Sequence, residues 1–241
     1  PENRSDEQSR LAALQAYQIL DTATEQDYDE LTDLAAAICG TTIALISLVD
    51  EKRQWFKSHR GLQVTETDRS HSFCAQAILN PTELMQVEDA NLDERFKDNP
   101  LVTGDPNIVF YAGMPLVDAE GFALGSLCVI DSQPRKLNQS QLQALKTLSK
   151  QVVNKLMLRR KLADLEAIQR DSIRIQEQSQ ERESQLERII SQSPTAMMVL
   201  RGEEMVIDSI NAAMLKMIVQ EPDIEGKRLL DVIPELAGQP A

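Results

Sequence analysis

The chain has 241 residues, 42% of them hydrophobic, and a formal net charge of −13. That length suits one large domain or two small ones with a real core. The negative balance argues against nucleic-acid binding and against attachment to an anionic membrane.

The absence of any run of 18 apolar residues argues against membrane insertion. The polar, acidic start does not read as a signal peptide. Cys39, Cys74 and Cys128 are odd in number and widely spaced, which suggests neither a disulfide frame nor a zinc site. A cytoplasmic protein with reduced thiols is expected.

In chain order, a first helix is expected over 6–20, with Ser5 as N-cap and Leu11, Leu14, Tyr17 and Gln18 near one stripe. A second is expected over 26–39, with Tyr28, Leu31, Leu34, Ala35 and Ile38 at helical spacing and Gly40 as its stop. Strands follow at 43–49 and 53–59. Residues 62–71 read as a polar loop, and Ser72 as the cap of a short helix through Leu79. A strand at 84–88, a helical turn at 91–96 and a loop at 103–107 lead to two apolar runs within 108–130. Asp118-Ala119-Glu120-Gly121 separates those runs as the turn of a hairpin. The order is that of an α+β fold with mainly antiparallel strands.

Three groups of motifs carry a family resemblance. One is the hairpin, Phe110-Tyr111-Ala112-Gly113-Met114-Pro115-Leu116 with Gly121 to Asp131. The others are Ala44 to Asp50 with Gln54-Trp55-Phe56-Lys57-Ser58, and Ser72-Phe73-Cys74-Ala75. Over roughly residues 4–155 they resemble a GAF domain, of the type at the front of bacterial sensor histidine kinases. The resemblance implies a central antiparallel sheet, helices on one face, and a ligand-sized cavity on the other. It places a GAF domain with N-terminal helices at 1–138.

Residues 139–191 contain no Gly and no Pro and read as one long signalling helix. Leu142, Leu145, Leu148, Val152 and Leu156 form an apolar stripe. Ile168, Ser172, Ile175, Ser179, Arg182, Leu186 and Ile189 follow the alternating four and three steps of a coiled-coil seam. A helix of about 50 residues is about 75 Å long and exceeds what one small domain covers. A parallel homodimer is therefore expected, its seam running through Leu145, Leu148, Val152, Leu156, Ile168, Ile175, Leu186 and Ile189. The polar seam residues fit either a plain spacer or a marginal coil whose register shifts with the input domain. Residues 192–241 resemble the first half of a PAS domain. Asn211 stands at that family's helix-opening Asn. The unit is expected to be truncated, and partly disordered or ordered only by a partner.

The candidate ligand pocket collects Phe73, Cys74, Asp89, Asp93, Arg95, Phe96, Phe110 and Tyr111. Phe110 and Tyr111 point to opposite faces of a strand, so only one can face a pocket, and Trp55 and Phe56 share that constraint. Arg95 with Asp93 either grips a small carboxylate or zwitterion or forms, with Asp89, an internal network that fixes the loop. The cysteines read as buried packing residues. A minority of GAF proteins reduce free methionine-(R)-sulfoxide, which needs a nucleophilic and a resolving Cys close together. Residues 75–127 hold no Cys, so this is kept as the alternative. No bilin is expected, because Cys74 is followed by Ala75 rather than His. With only His59 and His71, neither haem nor metal is expected. The cyclic-nucleotide signature of the family is absent. The reading is a sensory input region, without catalysis of its own, in front of a kinase or a diguanylate cyclase.

Overall fold

The computed structural model describes residues 4–218 and 224–236. The chain divides into two units, Pro1–Leu165 and Glu166–Ala241.

In the first unit, helix α1 (Arg4–Ala16) buries Ala13 and Leu14. The helix starts at Arg4, so Ser5 falls within it and not at the expected N-cap position. The helix ends short of residue 20 because Gln18 takes a left-handed φ of 47°. Helix α2 (Gln26–Cys39) matches its expected span and ends on Gly40 at φ 67°. Its buried face is Tyr28, Thr32, Ala35, Ala36 and Cys39. Leu34 and Ile38, expected inside, are 47% and 38% exposed. The small Ala35 and Ala36 permit close approach to the sheet, and the Thr32 hydroxyl meets Ser58 Oγ there at 2.8 Å.

Six strands follow: β1 (Ile43–Val49), β2 (Arg53–Arg60), β3 (Glu66–Asp68), β4 (Met85–Val87), β5 (Phe110–Val117) and β6 (Ala123–Asp131). They form one sheet in the order β3-β2-β1-β6-β5-β4, with every pairing antiparallel. β1 and β6 are central and buried throughout, as their unbroken apolar runs require. β3 falls in the expected loop. It is a polar edge strand of three residues held by one ladder, so it carries no apolar signal. The short helices α3 (Phe73–Ala77) and α4 (Pro100–Thr103) are capped by Ser72 and Asn99. Residues 91–96 form turns, as expected, with the Phe96 and Lys97 N–H groups both donating to the Asp93 carbonyl.

The sheet separates two cores. One face carries Ala44, Ile46, Leu48, Trp55, Phe110 and Val129 and packs in one cluster with α1 and α2. The other carries Leu45, Phe56, Tyr111, Cys128 and Ile130 beneath α3 and the turns that follow it.

The long helix α5 spans Gln139–Gln192. Its Leu145, Leu148, Val152 and Leu156 join the helix-side core and are 0–7% exposed. These four therefore do not form a dimer seam. The domain covers the first turns of the helix itself, because α1 and α2 leave one more apolar strip of that face to fill. From Leu158 onward the picture reverses: Ile168, Ile175, Leu186 and Ile189 are 66%, 64%, 60% and 56% exposed.

In the second unit, β7 (Met198–Arg201) and β8 (Val206–Ile210) form an antiparallel hairpin. Helices α6 (Ala212–Ile218) and α7 (Leu229–Val232) follow. Among the described residues of this unit, Ile207 and Ile224 are the buried apolar ones. Asn211 accepts the Met214 N–H at the start of α6 and donates to the carbonyls of Ile190, Ser193 and Thr195. The expected partial disorder of 192–241 concerns in part 219–223 and 237–241, which lie outside the described residues.

Candidate functional site

The site is built on the sheet face beneath α3. Alternation along β5 sends Tyr111 to this face and Phe110 to the helix side. Tyr111 then folds back along its own strand over Gly113, where any Cβ would collide with its hydroxyl. The Tyr111 ring lies 5.2 Å from that of Phe73, which stacks on Phe96 at 4.0 Å and 11°.

The tip of Tyr111 enters a buried polar and sulfur cluster. Its hydroxyl donates to Cys74 Sγ at 3.4 Å and lies 3.3 Å from Ser126 Oγ. Cys74 Sγ lies 3.7 Å from Cys128 Sγ. Beside them Gln54 Oε1 accepts from Ser47 and, closely, from Ser72, whose oxygen also caps α3 at Ala75 N. Burial is complete enough to shift these groups. It pushes the Tyr111 phenol well above its ordinary range. The contact with Cys128 lowers the Cys74 thiol, while that same contact and burial raise Cys128. Cys39, buried without such partners, is pushed up to about 11.

The remaining expected site residues lie elsewhere. Asp89 Oδ1 accepts from the backbone and side chain of Asn91. Asp93 and Arg95 grip each other through two side-chain bonds of 3.0 and 2.7 Å, and Arg95 covers the Phe96 ring at 5.0 Å. Asp89 and Asp93 line an open surface groove with Gln86, Glu88, Leu92 and Arg135. The eight residues thus fall in three places: Phe73, Cys74, Phe96 and Tyr111 in the interior beneath α3, Asp89, Asp93 and Arg95 at the surface, and Phe110 behind the sheet.

Ser47, Gln54, Ser126 and Cys128 belong to the interior cluster, and sequence reasoning missed their association. Ser126, a hydroxyl inside an otherwise apolar run, was the available signal, since a buried polar group needs a partner. A second missed feature is Lys57. The pairing of β1 with β2 skips it, Ile46 facing Ser58 and Ser47 facing Phe56. This bulge lets Lys57 and Ser58 both reach the helix side. Lys57 is fully buried and donates to Thr22 Oγ1 at 3.0 Å, the Ala23 carbonyl at 2.6 Å and Glu25 at 2.7 Å. Glu25 also receives Arg159 of α5 at 2.6 Å, and Lys155 pairs with Asp27. One carboxylate thereby joins the sheet to the long helix where that helix leaves the core.

Among the described residues, no group of three or more His, Cys, Asp or Glu side chains is placed to hold a metal ion. Among them too, no helix is long and apolar enough to cross a membrane.

The chain is 47% identical over 135 residues to a cyclic di-GMP phosphodiesterase from Pseudomonas aeruginosa. That match covers 56% of this chain and 23% of the relative, so the chain spans about a quarter of that protein's length. The GAF domain of a phosphoenolpyruvate-protein phosphotransferase from Coxiella burnetii superposes with a TM-score of 0.50 at 13% identity, over 68% of this chain and 99% of that one. The corresponding domain from Acinetobacter gives a TM-score of 0.47 at 19% identity, over 65% and 98%. The family model for the GAF domain matches residues 23–156, and with the antiparallel sheet and its helices in place, the chain belongs to the GAF domain family.

Proposed function

We propose that this chain is the sensory input region of a larger bacterial signalling protein that works in the cytoplasm. The observation that carries the reading is the double role of α5, whose first turns are core of the GAF unit while its later apolar residues are exposed. A change beneath α3 reaches the sheet, and the sheet reaches α5 through Lys57, Glu25 and Arg159. The ligand is a small molecule held among Phe73, Cys74, Phe96 and Tyr111, with Ser126 and Gln54 as hydrogen-bonding partners. It acts only if it binds one arrangement of the helix better than another. Ile168, Ile175, Leu186 and Ile189 form the seam of a parallel homodimer. The hairpin of β7 and β8 with α6 is the first half of a PAS unit in the path to the output. This region performs no catalysis itself.

The output is either phosphotransfer by a histidine kinase or turnover of cyclic di-GMP. The identity with part of a cyclic di-GMP phosphodiesterase supports the second. Two measurements test the reading. The freshly purified chain is denatured and examined by mass spectrometry for a released compound, and its self-association is measured by sedimentation. A stoichiometric compound that no longer copurifies with a Tyr111→Ala variant of unchanged fold supports the pocket. A chain that stays monomeric at tens of micromolar, roughly the range in which weak coils pair, overturns the seam.

A further inference from the structure

Cys74 and Cys128 are separated by 54 positions in sequence, yet their sulfur atoms lie 3.7 Å apart beneath α3. A disulfide has its sulfurs about 2.05 Å apart, so closure asks for about 1.7 Å of approach. The two ends differ in freedom. Cys128 sits mid-strand in β6, paired with Leu45 on one side and Gly113 on the other. Cys74 sits in a helix of five residues that rests on one cap. The approach therefore falls on α3. The same cluster supplies a nucleophile and its partner, since the Tyr111 hydroxyl donates to Cys74 Sγ and the Cys128 sulfur lies within reach of it.

We propose that Cys74 and Cys128 form a reversible dithiol–disulfide site that takes a peroxide as its oxidant. Cys74, as thiolate, attacks one peroxide oxygen. The O–O bond breaks, hydroxide leaves, and Cys74 becomes a sulfenic acid. The Cys128 sulfur then attacks the Cys74 sulfur. The S–O bond breaks, the oxygen leaves as hydroxide and takes the Cys128 proton to become water, and the S–S bond forms. Two thiols and one hydrogen peroxide thus give one disulfide and two waters, with two electrons passing from sulfur to oxygen. Cys74 and Cys128 are 2% and 0% exposed, so the oxidant enters when α3 opens locally, a smaller event than global unfolding. Drawing α3 toward β6 displaces Phe73 from Phe96, which carries the change to the turns at 91–99.

Cys39 is an internal control. It is equally buried but lacks a sulfur or hydroxyl partner, and its thiol is pushed up to about 11. The test treats the full chain with hydrogen peroxide under native conditions, then denatures, alkylates and maps it by mass spectrometry. The expected result is a Cys74–Cys128 cross-linked peptide, formed about tenfold or more faster than Cys39 is lost and reversed by dithiothreitol. A Cys128→Ala variant should halt at a Cys74 sulfenic acid trapped by dimedone. A Tyr111→Phe variant should form the cross-link severalfold more slowly. Alkylation of all three thiols after treatment overturns the proposal. So does loss of Cys39 at the rate of Cys74, or oxidation of Cys74 beyond sulfenic acid with no cross-link. The measurement reads a covalent bond and no ligand, so its failure leaves the sensory reading standing, and the search for a released compound leaves this one standing.

Discussion

The two halves of α5 contrast within one helix. Leu145, Leu148, Val152 and Leu156 are buried in the GAF unit, whereas Ile168, Ile175, Leu186 and Ile189 are more than half exposed. Their apolar spacing is similar and their surroundings are opposite. The helix thus passes from a structural element to an unpaired one within about three turns. Helical stability in water comes mostly from packing an apolar face, and only the first half has that packing inside its own unit. The transition is marked by charge: Lys155, Arg159 and Arg160 reach Asp27, Glu25 and Glu120.

The largest expected effect lies in the first half. Leu145→Ala should lower stability by about 3 kcal/mol in urea unfolding, because a fully buried leucine leaves a cavity. The same change at Leu186, 60% exposed, should stay within about 0.5 kcal/mol at concentrations where the chain is monomeric. Equal costs at the two sites would erase the contrast.

Next is the transition itself. Glu25→Ala leaves the buried Lys57 with only the neutral Thr22 and Ala23 acceptors and frees Arg159. It should cost about 2 kcal/mol, below the usual range for a broken buried pair because Glu25 is itself 39% exposed. Amide exchange along 150–165 should quicken in this variant, and unchanged exchange would show that Glu25 does not hold the helix.

In the second half, Ile175→Asn with Leu186→Asn should weaken self-association about tenfold or more, read by sedimentation, with little change in urea unfolding of the monomer. A dimer of undiminished affinity would place the interface elsewhere.

The smallest effect concerns α1, which closes the core that the first half of α5 enters. Arg10 and Arg69 hold the Glu7 carboxyl at about 2 instead of 4.5. A depressed carboxyl stabilises fully above its unfolded value, and that stabilisation is lost as pH falls from 4.5 toward 2. Because Glu7 is partly open to solvent, about 1 kcal/mol is expected. Glu7→Gln should be less stable than wild type by that amount at pH 7, with the gap closing near pH 2. A gap that is independent of pH would assign the effect to packing.

Legibility in the sequence followed local physics. The central strands β1 and β6 were readable because a strand buried on both faces needs an unbroken apolar run. The opposite placement of Phe110 and Tyr111 follows from the pleat alone. The span of α2 was readable but its buried face was not, since the contact of Thr32 with Ser58 joins residues 26 positions apart. The edge strand β3 stayed hidden because three polar residues on one ladder have no pattern to show. For the site, the aromatic members Phe73, Phe96 and Tyr111 stood out by type, while Ser47, Gln54 and Ser126 did not.

By itself, then, the sequence determined the α+β class, the central strands, the long uninterrupted helix and the GAF resemblance, because each rests on periodicity or on a motif contiguous in the chain. The tertiary structure alone decided three things: which half of α5 is covered, that a bulge turns Lys57 inward, and that Cys74 meets Cys128. Each depends on where distant segments cross, and nothing in a local pattern of side chains records a crossing.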